Sequence, residues 1–484
     1  MGDNLKQKMV SALAWTTVDR FGQQAVQFAI GLVLARLLSP DDFGLIGMVM
    51  IFSGLSFVIV ESGFSQALIR KKEPDELDFN SVFYFNLGAS ILIYIILFWG
   101  IIPVSLFFKQ PSLVVIGRVI FLAILFNALY LVPFAQLIKA MDFKTMAKVN
   151  LLSMVISGLT GVVLAITGFG VWSLVIQQVL YHFFRMVALY YFVEWRPKLL
   201  FSLNVIKNFW GFSINLLGTS ILNVLFNNIY VMLLSRYYPI KQVGYYTQAN
   251  KLSETFNFTF QSILVGSSYT MFTRIQDDNE RFRRVLREVS KKTSIVTFPI
   301  MIVLIAIAKP FIYVLLSEKW MPTVPYFQII ALAGLFTPLY ALNITALNAK
   351  GKSKTTFRVE FIKKILILLS VILSFKFGII AMLWGYTAAS FASYLITVIA
   401  IKQHTSHYIT HQIKDLIPNI LYGSILALTA FSLTYFISNM HLLLLMQVFT
   451  VVMLYLLIIR ITQPEIFRKS MNFLFSKIGT IQEF

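Results

Sequence analysis

Long apolar runs alternate with short polar interruptions from the first residues of the chain to the last. A membrane-spanning helix needs roughly 20 mostly apolar residues, and about fourteen such stretches can be placed. They cover 9–37, 43–68, 79–108, 113–138, 149–168, 171–193, 208–236, 243–272, 293–316, 324–348, 361–375, 379–401, 417–438 and 442–459. The pattern predicts an all-α polytopic membrane protein. The first run is too long and too polar for a cleaved leader and reads as the first span.

Charge then orients the spans. With the N-terminus inside, the segments at 70–72, 139–148, 196–207, 274–292, 350–364 and 402–414, together with both termini, hold about 30 of the 41 Lys and Arg. The opposite loops hold about eight, among them Lys109, Lys241, Lys319 and Lys376. Both termini are therefore expected in the cytoplasm. The longest cytoplasmic loop, 273–292, sets Phe282, Val285, Leu286 and Val289 at helical spacing among Arg281, Arg284, Arg287 and Lys291. That stripe predicts an amphipathic helix lying on anionic lipid headgroups. The tail after Pro464 carries a similar stripe of Phe467, Met471, Leu474 and Ile478.

Composition agrees. The 484 residues are 58% hydrophobic and 13% charged, with 45 Phe, whereas a soluble chain carries about a quarter charged residues. The formal charge of +20 is absorbed by the cytoplasmic loops, so no nucleic-acid partner is expected. Cysteine is absent, which removes disulfides and thiolate chemistry. No metal or other cofactor is expected.

The chain also repeats itself. LARLLSPDDFGLIG from Leu34 corresponds to LSRYYPIKQVGYYT from Leu234, pairing Arg36 with Arg236 and Gly44 with Gly244. The polar positions just before also pair, Gln23 with Asn223 and Gln27 with Asn227. LYLVPFAQLIKAMDFKTMAKV from Leu129 resembles LYALNITALNAKGKSKTTFRV from Leu339, and GFGVWSLV from Gly168 resembles KFGIIAML from Lys376. Three matches in order, at similar offsets, predict a parallel duplication with a cavity between two six-helix lobes. The expected domains are an N-terminal lobe (1–200), a C-terminal lobe (201–410), and an appended helix pair with a cytoplasmic tail (411–484).

Polar residues inside spans are costly and normally face a cavity or a partner. Thr16, Arg20, Gln23 and Gln27 share one face of the first span, with Asp19 beside Arg20 as a candidate counter-ion. The seventh span carries Asn215, Asn223, Asn227 and Asn228; the eighth carries Asn250, Lys251, Glu254, Asn257 and Gln261. Glu61 lies in the second span, and Gln177, Gln178, His182 and Arg185 in the sixth. Each has a plainer reading. Asn and Gln serve as interhelical glue, Lys251 and Glu254 as a closed i,i+3 pair, Arg185 as a snorkelling residue, and His182 as packing. Taken together they predict a wet, mildly cationic cavity suited to an amphiphilic anionic glycolipid. Its expected lining is Arg20, Gln23, Gln27, Asn223, Asn227, Lys251, Asn257 and Arg185. Asp19, Glu61 and Glu254 are the candidates for ion coupling.

LARLLSPDDFG, ESGFSQALIRKKE, VPFAQLIKAMDFK, FGVWSLVIQQ and LNAKGKSK resemble the Wzx-type polysaccharide flippases. These belong to the multidrug/oligosaccharidyl-lipid/polysaccharide exporter superfamily. The resemblance implies alternating access and an undecaprenyl-pyrophosphate-linked oligosaccharide cargo. It also implies coupling to a proton or sodium gradient and residence in the bacterial inner membrane, with polymerase and chain-length machinery as further partners. Cationic cavity residues engage the anionic cargo in this family; Arg20 and Lys251 are the matching candidates, with Arg185 behind them. A multidrug or small-molecule exporter of the same superfamily is the alternative. A membrane polymerase or glycosyltransferase would need a catalytic loop domain, and the chain has no GxxxxGK[ST] phosphate loop and no catalytic residue to nominate.

Overall fold

The computed structural model describes residues 2–61, 63–405, 409–464 and 468. The chain is helical throughout, with no strand among the described residues. In order, the helices are α1 (Gly2–Leu37), α2 (Pro40–Glu61), α3 (Phe64–Arg70), α4 (Glu76–Phe108), α5 (Leu113–Ile120), α6 (Leu122–Lys139), α7 (Phe143–Ile166), α8 (Trp172–Phe192) and α9 (Leu203–Tyr237). They continue with α10 (Ile240–Arg274), α11 (Asn279–Ala306), α12 (Ala308–Leu316), α13 (Thr323–Gly334), α14 (Thr337–Ala349), α15 (Ser353–Ser374), α16 (Ile379–Thr405), α17 (Ile409–Ser432) and α18 (Met440–Thr462).

Among the described residues, ten helical segments are long and apolar enough to cross a membrane. The remaining long helices α1, α8, α10 and α15 are not among them, and charged or amide side chains interrupt their apolar runs. Three of these four, α1, α8 and α10, carry the polar positions singled out above. Several expected spans are broken rather than straight. The second becomes α2 and α3 around Gly63 at φ 73, the fourth divides into α5 and α6, and the tenth into α13 and α14.

The repeat is written into the backbone. Met141 (φ 57) and Gly351 (φ 69) follow the ends of α6 and α14, and they are equivalent in the sequence match. Gly170 (φ 53) and Gly378 (φ 96) are likewise equivalent, just before α8 and α16. Glycine enters the left-handed region without a Cβ clash; Met141 adopts it despite one.

The chain divides into two compact units, Met1–Thr247 and Gln248–Phe484. In the first, α1 lies along α7, where a Cβ on Gly158 would overlap Ile30 and one on Gly22 would press on Leu151. The paired glycines of the repeat also meet within this unit. A Cβ on Gly44 would collide with the carbonyl oxygen of Ile240, and one on Gly244 with that of Pro40. The helix starts at Pro40 and Ile240 thus cross backbone to backbone, each through the other's glycine.

In the second unit, α17 and α18 are seated on α11. Arg287 donates to both carboxylate oxygens of Asp415, at 2.6 and 2.9 Å, a paired geometry suited to guanidinium. Asn419 donates to Ser294 at 2.7 Å, and the Tyr455 hydroxyl donates to the Ile295 carbonyl at 2.7 Å. The stripe at 273–292 does not lie on lipid headgroups as its spacing predicts. Phe282 and Leu286 are fully buried with Phe272, Leu342, Ala346, Leu347 and Ile401. That apolar face is covered by protein instead of lipid headgroups, while Arg281, Arg284, Arg287 and Lys291 stay exposed. The stripe after Pro464 lies outside the described residues.

Candidate functional site: buried polar clusters and unpaired cations

In the first unit, Asp19 is held across α1 and α7. Its carboxylate accepts from Asn150 Nδ2 at 3.1 and 3.2 Å and from Gln23 Nε2 at 2.8 Å. The expected Asp19–Arg20 pair does not form, because adjacent helical residues point to different faces and Asn150 occupies the carboxylate. Arg20 and Gln27 are exposed, and Gln23 is half-buried. Asn223 and Asn227 on α9 are exposed too, while Asn228 donates to the Val224 carbonyl at 2.8 Å.

The densest polar cluster joins α6 to α8. The Tyr130 hydroxyl accepts from Asn127 Nδ2 at 2.8 Å and from Arg185 at 3.1 Å, and it lies 3.1 Å from His182 Nδ1. The Arg185 guanidinium stacks over Tyr130 at 4.6 Å and Phe134 at 4.4 Å from the ring centres. Phe57 of α2 stacks on His182 at 4.8 Å. Arg185 is therefore not snorkelling to the interface; aromatic faces and one hydroxyl fix it in place. Its Nε is buried without an acceptor, and Asn127 Oδ1 is buried without a donor. Among the described residues no carboxylate lies within ion-pairing distance of Arg185.

In the second unit, Glu254 accepts from Asn250 Nδ2 at 2.8 Å. Lys251 and Glu254 form no ion pair, so the closed-pair reading fails for them. Asn257 packs over Gly334, where a Cβ would come within 2.7 Å of its amide nitrogen, and its Oδ1 is buried without a donor. The side chains of Asn215 and Gln261 lie outside the described residues. A mostly apolar cleft of about 250 Å³ lies between α7 and α8, lined by Leu152, Ser153, Ile156, Phe184, Val187 and Tyr191.

Tyr130, Asn127 and Asn150 were not singled out from sequence. Each sits in a run that reads as apolar, and the only sequence signal was a polar atom inside a span. The loop preceding α4 is more regular. Asp75 caps the helix in a capping box with Asp78, and the Asp78 backbone amide leads the hydrogen bonds that hold the Asp75 carboxyl below its ordinary value.

This architecture defines a multi-pass α-helical membrane protein with the fold of flippases and multidrug exporters. It superposes on a structure of the lipid II flippase MurJ in an inward closed conformation with a TM-score of 0.75 at 16% identity, covering 93% of this chain and 99% of that one. An inward-facing multidrug resistance MATE family transporter of the MOP superfamily matches with a TM-score of 0.64 at 13% identity, over 82% of this chain and 99% of that one. By sequence, the chain belongs to the polysaccharide biosynthesis protein family, whose model matches residues 33–325.

Relatives include the succinoglycan biosynthesis transport protein ExoT of Rhizobium meliloti (strain 1021), 26% identical over 67% of this chain and 66% of that protein. The teichuronic acid biosynthesis protein TuaB of Bacillus subtilis (strain 168) is 23% identical over 81% and 82%. The lipopolysaccharide biosynthesis protein WzxC of Escherichia coli (strain K12) is 24% identical over 76% of this chain and 76% of that protein.

Proposed function

We propose that the protein flips undecaprenyl-pyrophosphate-linked oligosaccharide units across the bacterial inner membrane by alternating access, driven by an ion gradient. The observation that carries the reading is chemical. In a chain of the polysaccharide biosynthesis family, Arg20, Arg185 and Lys251 sit in long helices without a carboxylate partner among the described residues. Unpaired cations at membrane depth are retained where an anion arrives to meet them. A pyrophosphate supplies that charge, and Arg matches its oxygens in paired geometry. Gln23, Gln27, Asn223, Asn227 and Asn257 suit sugar hydroxyls, and Asp19, Glu61 and Glu254 remain the candidates for ion exchange.

The same reading takes α1, α8, α10 and α15 as true spans, giving about fourteen with both termini cytoplasmic. It keeps the 1–200 and 201–410 lobes with 411–484 appended, places the protein beside a polymerase and its chain-length machinery, and gives it a transport role without enzymatic turnover. Deletion in a strain lacking related flippases should make lipid-linked repeat units accumulate on the cytoplasmic face. Normal export without accumulation would refute it. A multidrug exporter is the second reading, favoured by the exposed carboxylates Glu61 and Glu254. A deletion strain hypersensitive to cationic drugs, with intact polysaccharide, would select it.

A further inference from the structure

Helices α7 and α8 form a hairpin with a cleft along one seam, and the cleft has a cause in the sequence. The buried residues in that seam, Ser153 and Ala188, are small. Leu152, Ile156, Phe184 and Tyr191 rise beside them, which leaves a cleft of about 250 Å³. The Ser153 hydroxyl donates to the Val149 carbonyl at 2.7 Å, so the walls are apolar and the one hydroxyl on the floor is engaged. Leu152, Val187, Tyr191 and Phe192 are exposed, so the cleft is open to what surrounds the hairpin. In the span topology proposed above, that is the acyl layer of the cytoplasmic leaflet.

The cleft runs toward cations. A Cβ on Gly161 would touch Gln177 and the Ser173 carbonyl, which sets the register of the two helices. Counting residue for residue from that contact, Leu152 lies level with Phe184, Lys148 with Ala188 and Lys144 with Phe192. Lys148 is exposed one turn before Leu152 on the same face, and Lys144 is exposed one turn before that. The Lys144 ammonium lies over the Trp15 ring at 5.8 Å, and neither lysine forms an ion pair among the described residues. Of the acidic groups at this end, Asp142 accepts from Thr145 as the cap of α7, and Glu194 is exposed beyond α8. Arg196 follows, folded onto the carbonyls of Tyr190, Val193 and Trp195. The cleft is thus apolar within and cationic at its cytoplasmic mouth.

We propose that this cleft docks the polyprenyl chain of the lipid-linked cargo, with its pyrophosphate at Lys148 and Lys144. The proposal rests on the flippase reading and adds to it the site where cargo is captured from the cytoplasmic leaflet. Burying the chain among Leu152, Ile156, Phe184 and Tyr191 gains apolar contact. Each lysine supplies a cation at headgroup level. Capture comes first; the head then enters the polar interior, to which the same two helices contribute Asn150 and Arg185.

Width and charge select this occupant. The cleft is a single seam, which takes one chain, whereas a bilayer phospholipid carries two and must leave one outside. Two lysines one turn apart suit the two phosphates of a pyrophosphate better than the lone phosphodiester of phosphatidylglycerol. A neutral prenyl alcohol would fill the seam and leave both cations without an anion.

The test uses the full-length protein in lipid nanodiscs and farnesyl diphosphate carrying a benzophenone in place of its terminal isoprene. Light-driven labelling should fall within 152–156 and 184–192, and excess undecaprenyl pyrophosphate should abolish it. Ala188→Leu fills the floor and Val187→Trp narrows the exposed wall, away from the core. Each should lower that labelling about tenfold or more. Lys148→Gln should weaken labelling by this probe and leave labelling by the matching benzophenone prenyl alcohol unchanged. Leu369→Trp, exposed on α15, should change nothing. Displacement by phosphatidylglycerol as effective as by undecaprenyl pyrophosphate would make the cleft an ordinary lipid groove and overturn the proposal. Labelling confined to other segments, or indifferent to both cleft substitutions, would overturn it too, and either result leaves the flippase reading intact. A probe that labels nowhere, with undecaprenyl pyrophosphate also failing to bind by native mass spectrometry, would overturn the flippase reading and this proposal with it.

Discussion

Tyr130 illustrates how one atom can organise a membrane-buried cluster. Its hydroxyl is the meeting point of Asn127, His182 and Arg185. Tyr130→Phe keeps the ring that Arg185 stacks on and removes the shared partner. Leaving buried polar groups unpaired costs about 1–3 kcal/mol, so thermal unfolding in detergent should begin several degrees lower, and an unchanged profile would show that the cluster is not structural. Arg20 makes the opposite case. It is exposed and pairs with no acidic group among the described residues. Arg20→Ala should therefore lower transport while leaving membrane abundance and thermal stability intact; full transport activity would remove it from the site. Charge inside an apolar run is what makes Arg20, Arg185 and Glu61 stand out in the sequence. The sequence mispairs Asp19, since the true partner, Asn150, is distant along the chain and is reached only through the packing of α1 on α7.

Helices were legible wherever apolar runs are long, and less so where they bend. Span positions followed the runs closely, but the breaks at Gly63, between α5 and α6, and between α13 and α14 are made by backbone geometry inside sequence that stays apolar. Periodicity also could not say what covers a stripe, which is why Phe282 and Leu286 read as lipid-facing yet pack into protein. The repeat motif carried more than it showed. Gly44 and Gly244 were matched by spacing alone, and the structure gives the reason, a mutual crossing with no room for a Cβ. Gly244→Val should destabilise the protein by more than the about 1–3 kcal/mol typical of overpacking, because the obstacle is backbone carbonyl instead of a movable side chain. Near-wild-type melting of that variant would mean the helices part easily. At the start of α4, Asp75→Ala should cost about 1 kcal/mol of local helix stability. The Asp75 carboxyl is lowered in the folded state, so its contribution is present above the ordinary carboxylate range and is lost as pH falls through the lowered value. Hydrogen exchange of the amides at 76–79 should quicken in that acidic window for the wild type and be insensitive to it in Asp75→Ala.

At the scale of the molecule, the polar helices define the account. Among the described residues ten segments are long and apolar enough to cross a membrane, and the long helices outside that set include α1, α8 and α10, which carry Arg20, Arg185 and Lys251. Such helices are tolerated where water or a polar cargo meets them. Family membership supplies the biosynthetic context, and the proposed role of Arg20, Arg185 and Lys251 is to meet the charge of a lipid pyrophosphate. The most direct measurement is flipping itself. Purified protein is reconstituted into vesicles loaded with an isoprenyl-pyrophosphate-linked oligosaccharide, and the fraction open to a membrane-impermeant glycosidase is followed over time under an imposed proton gradient. The wild type should expose the inner-leaflet pool far faster than protein-free vesicles, and Arg20→Ala should slow that exposure. Exposure no faster than in protein-free vesicles, with correctly folded protein present, would contradict the account.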